Sequence, residues 1–575
     1  MDSDLYTMGI IFEDKVRNLN MQDRQRRSLR TSRQEQLGLD TAHNRLFVVI
    51  LMVGFCFAAI SVRLFDLMII EHSDKHKTAS ATTSPLDKLH RRADVVDRNG
   101  VVLATSLKTA SVYADPKVVM DPSDAAYKIS IVLPHLDEDD LYRKLTSNKR
   151  FVWLERGLSP KQQYEVNRLG IPGLEFVEEE QRFYPHGELI SHILGYTDID
   201  NTGIAGAEMT FDEDLKEGKT PLELSLDVRV QQIVHDTLND VMRTHKAKGA
   251  VGIVMKAKSG EVVSSVSLPD FHPKFRKKVS GNALFNRSTA GVYEMGSTFK
   301  LFTAAMALDE KPSIFKRNYD TKNPIKVANF TVKDHRSYGD NLSFPEVFMY
   351  SSNIGAARIA GDTGLDKQKE FFHHIGLGDP SSIEVPESAA PLMPSRWDDI
   401  TMHTMSYGYG ASISPMKLTE SIAGLVNGGV MKSATLVKGK KTEERQIISA
   451  KASQKLRELM YMTVQEGTGK KAKGSGYLMG GKTGTAVKMT SAGYTEGKQL
   501  ASFVSAFPIH DPEYVVLVIF DEPEGTEETF GYANGGWVAA PAAKKIVQRM
   551  GPLVGIKPFD MPENRATQNL INIKY

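Results

Sequence analysis

The chain has a single cysteine, Cys56, in 575 residues, so an intrachain disulfide and a disulfide-stapled scaffold are excluded. This does not exclude an extracytoplasmic location, since domains of ordinary size fold without bridges. A dominant charge sign is also missing: 72 Lys and Arg stand against 70 Asp and Glu, a net charge of +2. A broad basic surface is therefore unsupported, and nucleic acid is not expected as a partner. No internal repeat and no low-complexity tract occurs. His186 and His192 are six apart, and no further ligands make this a metal site. Long apolar runs are absent save one.

That run is Leu46 to Val62, 17 residues, at the short limit for a membrane-spanning helix. Arg63 can snorkel so that Leu64 to Ile70 extend it. Five Lys or Arg precede it within twenty residues (26, 27, 30, 33, 45) and three come after it (63, 75, 77), which favours an N-terminus inside. The expectation is a single-pass anchor at 46–70, behind a cytoplasmic tail at 1–45 with a basic cluster from Arg24 to Arg33. A cleaved signal peptide with its site at Ala79-Ser80-Ala81 would need a shorter apolar core and a shorter leader.

Beyond the anchor the chain is ordinary folding material, and overall 41% of residues are hydrophobic and 25% charged. Val95-Val96, Asp97-Arg98-Asn99-Gly100 and Val101 to Ala104 read as strand, tight turn, strand. Arg182, Tyr184, Pro185, Gly203, Gly206 and Glu208 look architectural. Leu222 to Asp227 alternates as a strand and opens a longer mixed region. Within it, Gly249 to Met255 and Glu261 to Ser267 form a hairpin candidate. Phe503 to Phe507 and Tyr514 to Phe520 are two more strands, and Ala539 to Met550 is a closing helix. Strands at both ends with helices between them predict an α+β fold, an antiparallel sheet flanked by helices.

Chemistry-bearing residues fall in three groups. Ser297 precedes the helical run Leu301 to Leu308, where unpaired N–H groups favour negative charge, and Lys300 shares its face three residues on. A Ser cannot attack a carbonyl unaided at neutral pH, and an adjacent neutral amine could take its proton. The same spacing recurs at Ser313–Lys316, after Pro312 in a charged loop, and at Ser414–Lys417, before Pro415 in a turn. Ser351-Ser352-Asn353 offers a hydroxyl to relay a proton and an amide to hold a carbonyl. Lys482-Thr483-Gly484-Thr485 is the third group. Gly476 to Thr483 also matches a phosphate-binding loop, but its upstream side is polar and its downstream side is strand material.

In this order the three groups resemble the motif set of class B, monofunctional penicillin-binding proteins, and within them the division-type FtsI transpeptidases. Tyr293-Glu294-x-Gly296-Ser297-Thr298-Phe299-Lys300 is similar to the nucleophile motif, with Met295 where many members have Pro. Asp97 to Gly100, Arg182-x-Tyr184-Pro185 and Gly203-x-x-Gly206-x-Glu208 resemble the pedestal. Gly535 to Pro541 looks like the division-type branch. The resemblance implies a periplasmic pedestal at 71–221, a transpeptidase domain at 222–555 and a tail at 556–575. It further implies crosslinking of septal peptidoglycan through a serine acyl-enzyme, with D-Ala-D-Ala stem peptides as donors and β-lactams as inhibitors. Ser297 is the implied nucleophile and Lys300 its base, its pKa lowered by burial and by Lys482. Ser351 would relay the proton and Asn353 hold the substrate amide. Lys482, Thr483 and Thr485 would bind the carboxylate, beside Gly484, and the N–H groups of Ser297 and Thr485 would form the oxyanion hole. An FtsW-type glycosyltransferase and other division proteins of the inner membrane are the implied partners. A D,D-carboxypeptidase and a catalytically silent scaffold or β-lactam sensor are the alternatives.

Overall fold

The computed structural model describes residues 51–58, 60–61, 92–327, 330–490 and 493–558. The basic tail, most of the anchor and most of the C-terminal tail lie outside them. Residues 51–58 and 60–61 are helical, and among the described residues no helix is long and apolar enough to cross a membrane. The chain divides into two units, Met1–Leu89 and His90–Tyr575, and both major sheets belong to the second.

The pedestal begins with the expected hairpin. Asp97 Oδ1 accepts the N–H groups of Asn99 and Val101 at 2.7 and 2.9 Å, and Gly100 sits at φ +82°, closing the turn between β1 (Val95–Val96) and β2 (Val102–Ala114). β2 also pairs antiparallel with β3 (Val152–Leu158) and β4 (Leu174–Phe183). β5 (Leu222–Glu223) pairs in parallel with β1, so the strand-like stretch at 222–227 starts within this sheet. Helices α1 (Pro122–Val132), α2 (Glu138–Leu145) and α3 (Pro160–Asn167) start at Asp121, Asp137 and Ser159, whose side chains accept first-turn N–H groups. They bury Ile129, Leu133, Leu145 and Val166 against Val112, Leu154 and Leu158. Beside them the buried Glu208 receives Arg92 at 2.6 Å and Arg182 at 2.7 Å, and Arg182 also donates to the Ala93 carbonyl. Arg182 and Glu208 are architectural, as their sequence setting suggests.

The longer C-terminal region is built on an antiparallel sheet of β6 (Gly249–Lys256), β7 (Val262–Leu268), β8 (Gly480–Thr490), β9 (Gly493–Phe507) and β10 (Tyr514–Asp521), in the order β8-β9-β10-β6-β7. Its helices include α4 (Val228–Thr244), α5 (Lys300–Glu310), α6 (Phe344–Tyr350), α7 (Asn353–Thr363), α8 (Pro415–Val426), α9 (Ala450–Gln465) and α10 (Ala539–Leu553). β10 is apolar from Tyr514 to Phe520 because both its faces are covered. Val516, Val518 and Phe520 join a core with residues of α4 and α10, while Val515, Leu517 and Ile519 join one with α5, α8 and α9. Each such buried side chain contributes about 1.5–3 kcal/mol.

The two sheet edges differ. Along β7, the Gln231 side chain exchanges two hydrogen bonds of 2.9 Å with the Ser265 backbone, and Val262 N–H donates to the Thr435 carbonyl. Along β8, no strand among the described residues pairs with the outer side. That open edge carries Lys482 to Thr485.

Candidate active site

Ser297 lies in a 3-10 turn, Gly296–Phe299, that feeds directly into α5. It is a first-turn residue rather than a cap; Phe299 holds the cap position without a side-chain hydrogen bond. α5 is apolar around most of its girth and is buried from Lys300 to Leu308, which fixes the turn rigidly. Gly296 sits at φ +52°, and a Cβ there would stand 2.6 Å from the Thr485 carbonyl oxygen. Only glycine lets the turn that carries Ser297 approach β8 this closely. Gly484 completes the contact, since a Cβ on it would meet Ser502 Oγ at 2.3 Å and the Met295 carbonyl at 2.9 Å.

Lys300 is 2% exposed, and its Nζ faces four oxygens: Ser297 Oγ at 2.9 Å, Ser351 carbonyl at 2.8 Å, Ser351 Oγ at 3.2 Å and Asn353 Oδ1 at 2.6 Å. Thr303, Ala304, Phe344, Val347, Phe348, Ala356 and Ile359 wall the space around its stem. Burial in this apolar cage lowers its pKa to about 7, while the Asp334 carboxylate pulls in the opposite direction. A neutral amine here can donate to the Ser351 carbonyl and Asn353 Oδ1 and still present its lone pair to the Ser297 hydroxyl. That is the geometry a general base needs.

Lys482 is fully buried, donating to Ser351 Oγ at 2.8 Å and to the Thr483 carbonyl at 3.2 Å. Burial pushes its pKa well below the ordinary lysine value, and the neighbouring Lys300 pushes it further. The expected depression of Lys300 is therefore present, but the repulsion between the two amines bears on Lys482. Ser351 Oγ touches both lysines and links them into one chain of proton-carrying groups. It can do so because Ser351 occupies the left-handed region, φ 64° and ψ 39°, between α6 and α7. Such strain in a non-glycine residue costs about 1–3 kcal/mol and collects at functional sites.

On the open edge, Val487 N–H points outward to Tyr409 Oη at 3.2 Å. Strand alternation aims the N–H of Thr485, two residues earlier, to the same side. Thr483 Oγ1 and Thr468 Oγ1 lie 2.8 Å apart, and Gly535 N–H donates to Thr485 Oγ1 at 3.3 Å. At the rim, Glu294 Oε1 accepts from Gly410 N–H at 2.7 Å and from Tyr494 Oη at 3.1 Å.

Ser297, Lys300, Ser351, Asn353 and Lys482 thus converge, and Thr483, Gly484 and Thr485 border them. The other Ser-x-x-Lys copies stand apart from this network. Ser313 is in a 3-10 turn, Pro312–Lys316. Ser414, expected in a turn, is the N-cap of α8 and accepts the Lys417 N–H at 3.2 Å. The phosphate-loop reading fails because Gly480 to Thr490 is one continuous strand with no helix after it. Further contributors carry little or no mark in the sequence. Asp334 and Ser352 hold the Ser351–Asn353 turn from behind, and Thr468 supports Thr483. Ser352 lies inside the Ser351–Asn353 motif, which is the one signal pointing to it; Asp334 carries no sequence signal.

Residues 250–548 match the penicillin binding protein transpeptidase domain, and residues 88–233 the penicillin-binding protein dimerisation domain. The chain is 34% identical over 534 residues, 90% of both chains, to a probable peptidoglycan D,D-transpeptidase FtsI of Caulobacter vibrioides. It is 30% identical to stage V sporulation protein D of Bacillus subtilis, covering 90% of this chain and 87% of that one. It is 26% identical to the peptidoglycan D,D-transpeptidase FtsI of Escherichia coli, covering 84% and 87%. A crystal structure of a peptidoglycan synthetase from Bifidobacterium adolescentis shares the fold, with a TM-score of 0.64 at 19% identity over 82% of this chain and 97% of that one.

Proposed function

The chain belongs to the class B penicillin-binding proteins, and from that premise we propose that it crosslinks septal peptidoglycan with Ser297 as its nucleophile. It is a peptidoglycan D,D-transpeptidase that works through a serine acyl-enzyme and is acylated by β-lactams. The observation that carries the residue assignment is the convergence of Ser297, Ser351 and Asn353 on the buried amine of Lys300.

Ser297 Oγ attacks the carbonyl of the penultimate D-Ala while Lys300 takes its proton. The N–H groups of Ser297 and Thr485 receive the developing oxyanion, each donor contributing about 3 kcal/mol by analogy with other acyl-transfer sites. Ser351 passes a proton from the lysine pair to the departing amine; the C–N bond breaks and the terminal D-Ala leaves. An acceptor amine then attacks the ester, gives its proton to Lys300, and Ser297 regains its hydrogen. Lys482, Thr483 and Thr485 hold the terminal carboxylate, and Asn353 holds the donor amide. A carboxylate arriving beside Lys482 favours its charged form, so donor binding draws a proton onto it.

We take 71–221 as the pedestal and 222–555 as the catalytic domain, held at the inner membrane by 46–70 with the catalytic domain in the periplasm. An FtsW-type glycosyltransferase and other division proteins are the proposed partners through anchor and pedestal. A fluorescent penicillin tests the core of the reading: the wild type takes a covalent label and Ser297→Ala takes none. A label that survives Ser297→Ala sinks the nucleophile. Dimeric stem peptides in the product separate the transpeptidase from a carboxypeptidase, which releases D-Ala alone. Imaging at midcell checks septal use, and a lateral-wall pattern overturns it.

A further inference from the structure

The turn that presents Ser351 and Asn353 is held from behind by one carboxylate. Asp334 lies two residues beyond the strand Phe330–Val332, which pairs with Ile325–Val327. Its Oδ1 accepts the N–H groups of Asn353 and, at 3.0 Å, of Ile354; its Oδ2 accepts the Ser352 hydroxyl at 2.6 Å. The Lys333 carbonyl next to it accepts Asn353 Nδ2 at 3.2 Å, so this short segment grips both ends of the Asn353 side of the motif. Asn353 Oδ1 in turn accepts from Lys300 Nζ. Asp334 therefore stands one residue behind the base, joined to it through Asn353.

We propose that Asp334 is a positioning residue for catalysis: it clamps the Ser351–Asn353 turn against Lys300 and serves as the counter-charge behind the buried lysine pair. The inference rests on the assignment of Lys300 as base. The groups that face Lys300 are Ser297 from the 3-10 turn, Phe348 and Ser351 at the end of α6, Asn353 at the start of α7, Lys482 from β8, and Asp334 from the loop. Of these, Asp334 is the acidic group and Lys482 is the second amine, which burial holds toward its neutral form. Lys300 feels the carboxylate as an attraction that favours its ammonium form.

The clamp and the charge separate by the sign of a pH shift. In Asp334→Asn, the amide oxygen still accepts the two backbone N–H groups, and its NH2 can donate to the Ser352 hydroxyl, but the charge is gone. The Lys300 ammonium loses a favourable neighbour, so the acid limb of the acylation profile moves to lower pH by on the order of 0.5–1 unit. A site that had merely loosened and admitted water would move the limb to higher pH, because hydration stabilises the ammonium.

The experiment measures second-order acylation of the full-length protein by a fluorescent penicillin between pH 5 and 9. Asp334→Asn is expected to shift the acid limb downward with a plateau lowered about 10-fold, and Asp334→Ala to lower the plateau about 100-fold. Ser352→Ala removes one leg of the clamp and keeps the charge, so its plateau falls while its acid limb stays at the wild-type pH. An unshifted or upward-shifted limb in Asp334→Asn overturns the counter-charge. A limb in Ser352→Ala that moves as far as that of Asp334→Asn overturns it as well. A wild-type plateau in Asp334→Ala overturns the clamp. If the wild type takes no label at Ser297, the assignment of the base fails instead, and that result is distinct from all of these.

Discussion

Lys300, as the proposed base, sets the expected pH dependence of the site. In that role it must be neutral, and its pKa is drawn down to about 7, so acylation should rise with pH through 7 and level off above it. Below pH 7 the buried amine is charged and cannot accept the Ser297 proton. Lys300→Ala should lower acylation by about 10²–10⁴-fold, measured against the wild type by stopped-flow labelling. Shape constrains the site as tightly as charge. Gly296→Ala places a Cβ 2.6 Å from the Thr485 oxygen at a φ of +52°, so it should cost most of the acylation rate while the melting temperature shows whether the fold holds. Ser351→Thr keeps the hydroxyl but sets a β-branched residue at φ 64°; it should behave more like a deletion than a conservative change.

At the scale of elements, one contact ties the pedestal to the region after residue 221, and one ion cluster holds the pedestal itself together. His192 Nε2 donates to the Ala283 carbonyl at 2.8 Å, its own carbonyl accepts from Asn286, and its ring meets the edge of Phe271. Burial lowers its pKa from 6.5 to about 4. Unfolded chains therefore bind a proton between those values that the native state refuses, and stability is lost as pH falls from 6.5 towards 4. The loss is of order 3 kcal/mol in full. His192→Gln, which keeps a donor for Ala283, should flatten this part of a thermal-melting curve against pH. Inside the pedestal, Glu208 sits between Arg92 and Arg182. Glu208→Ala leaves the buried Arg182 guanidinium without a carboxylate and Arg92 with Asp212 alone, and should cost about 3–5 kcal/mol, read by chemical denaturation.

The candidate constellation was legible in the sequence because its members carry chemistry in short motifs, Ser297 with Lys300, Ser351 with Asn353, and Lys482 with Thr483. The hairpin at 95–104 and the strand at 514–520 were legible too, one by its Asp-Asn-Gly turn and the other by an apolar run too short for a spanning helix. The features that stayed hidden depend on contacts distant in sequence. Asp334 lies 17 residues before Ser351 in a polar loop, and nothing local marks it. The cap role of Ser414 was hidden because Ser-Pro reads equally as a turn or as a helix start. The depressed pKa of both lysines follows from burial, a property no motif encodes.

The unequal sheet edges have a consequence for how the whole molecule behaves in solution. An unpaired strand edge is a template for any extended chain, a substrate or another copy alike. Gln231 closes the β7 edge, so strand addition is directed to β8, beside Ser297. Self-association and catalysis then compete for the same backbone groups. Acylated protein, with its ligand lying along β8, should aggregate more slowly on concentration or heating than free protein, as light scattering would show. The open edge of this sheet borders the candidate site, so a ligand seated there is expected to shield it from strand addition.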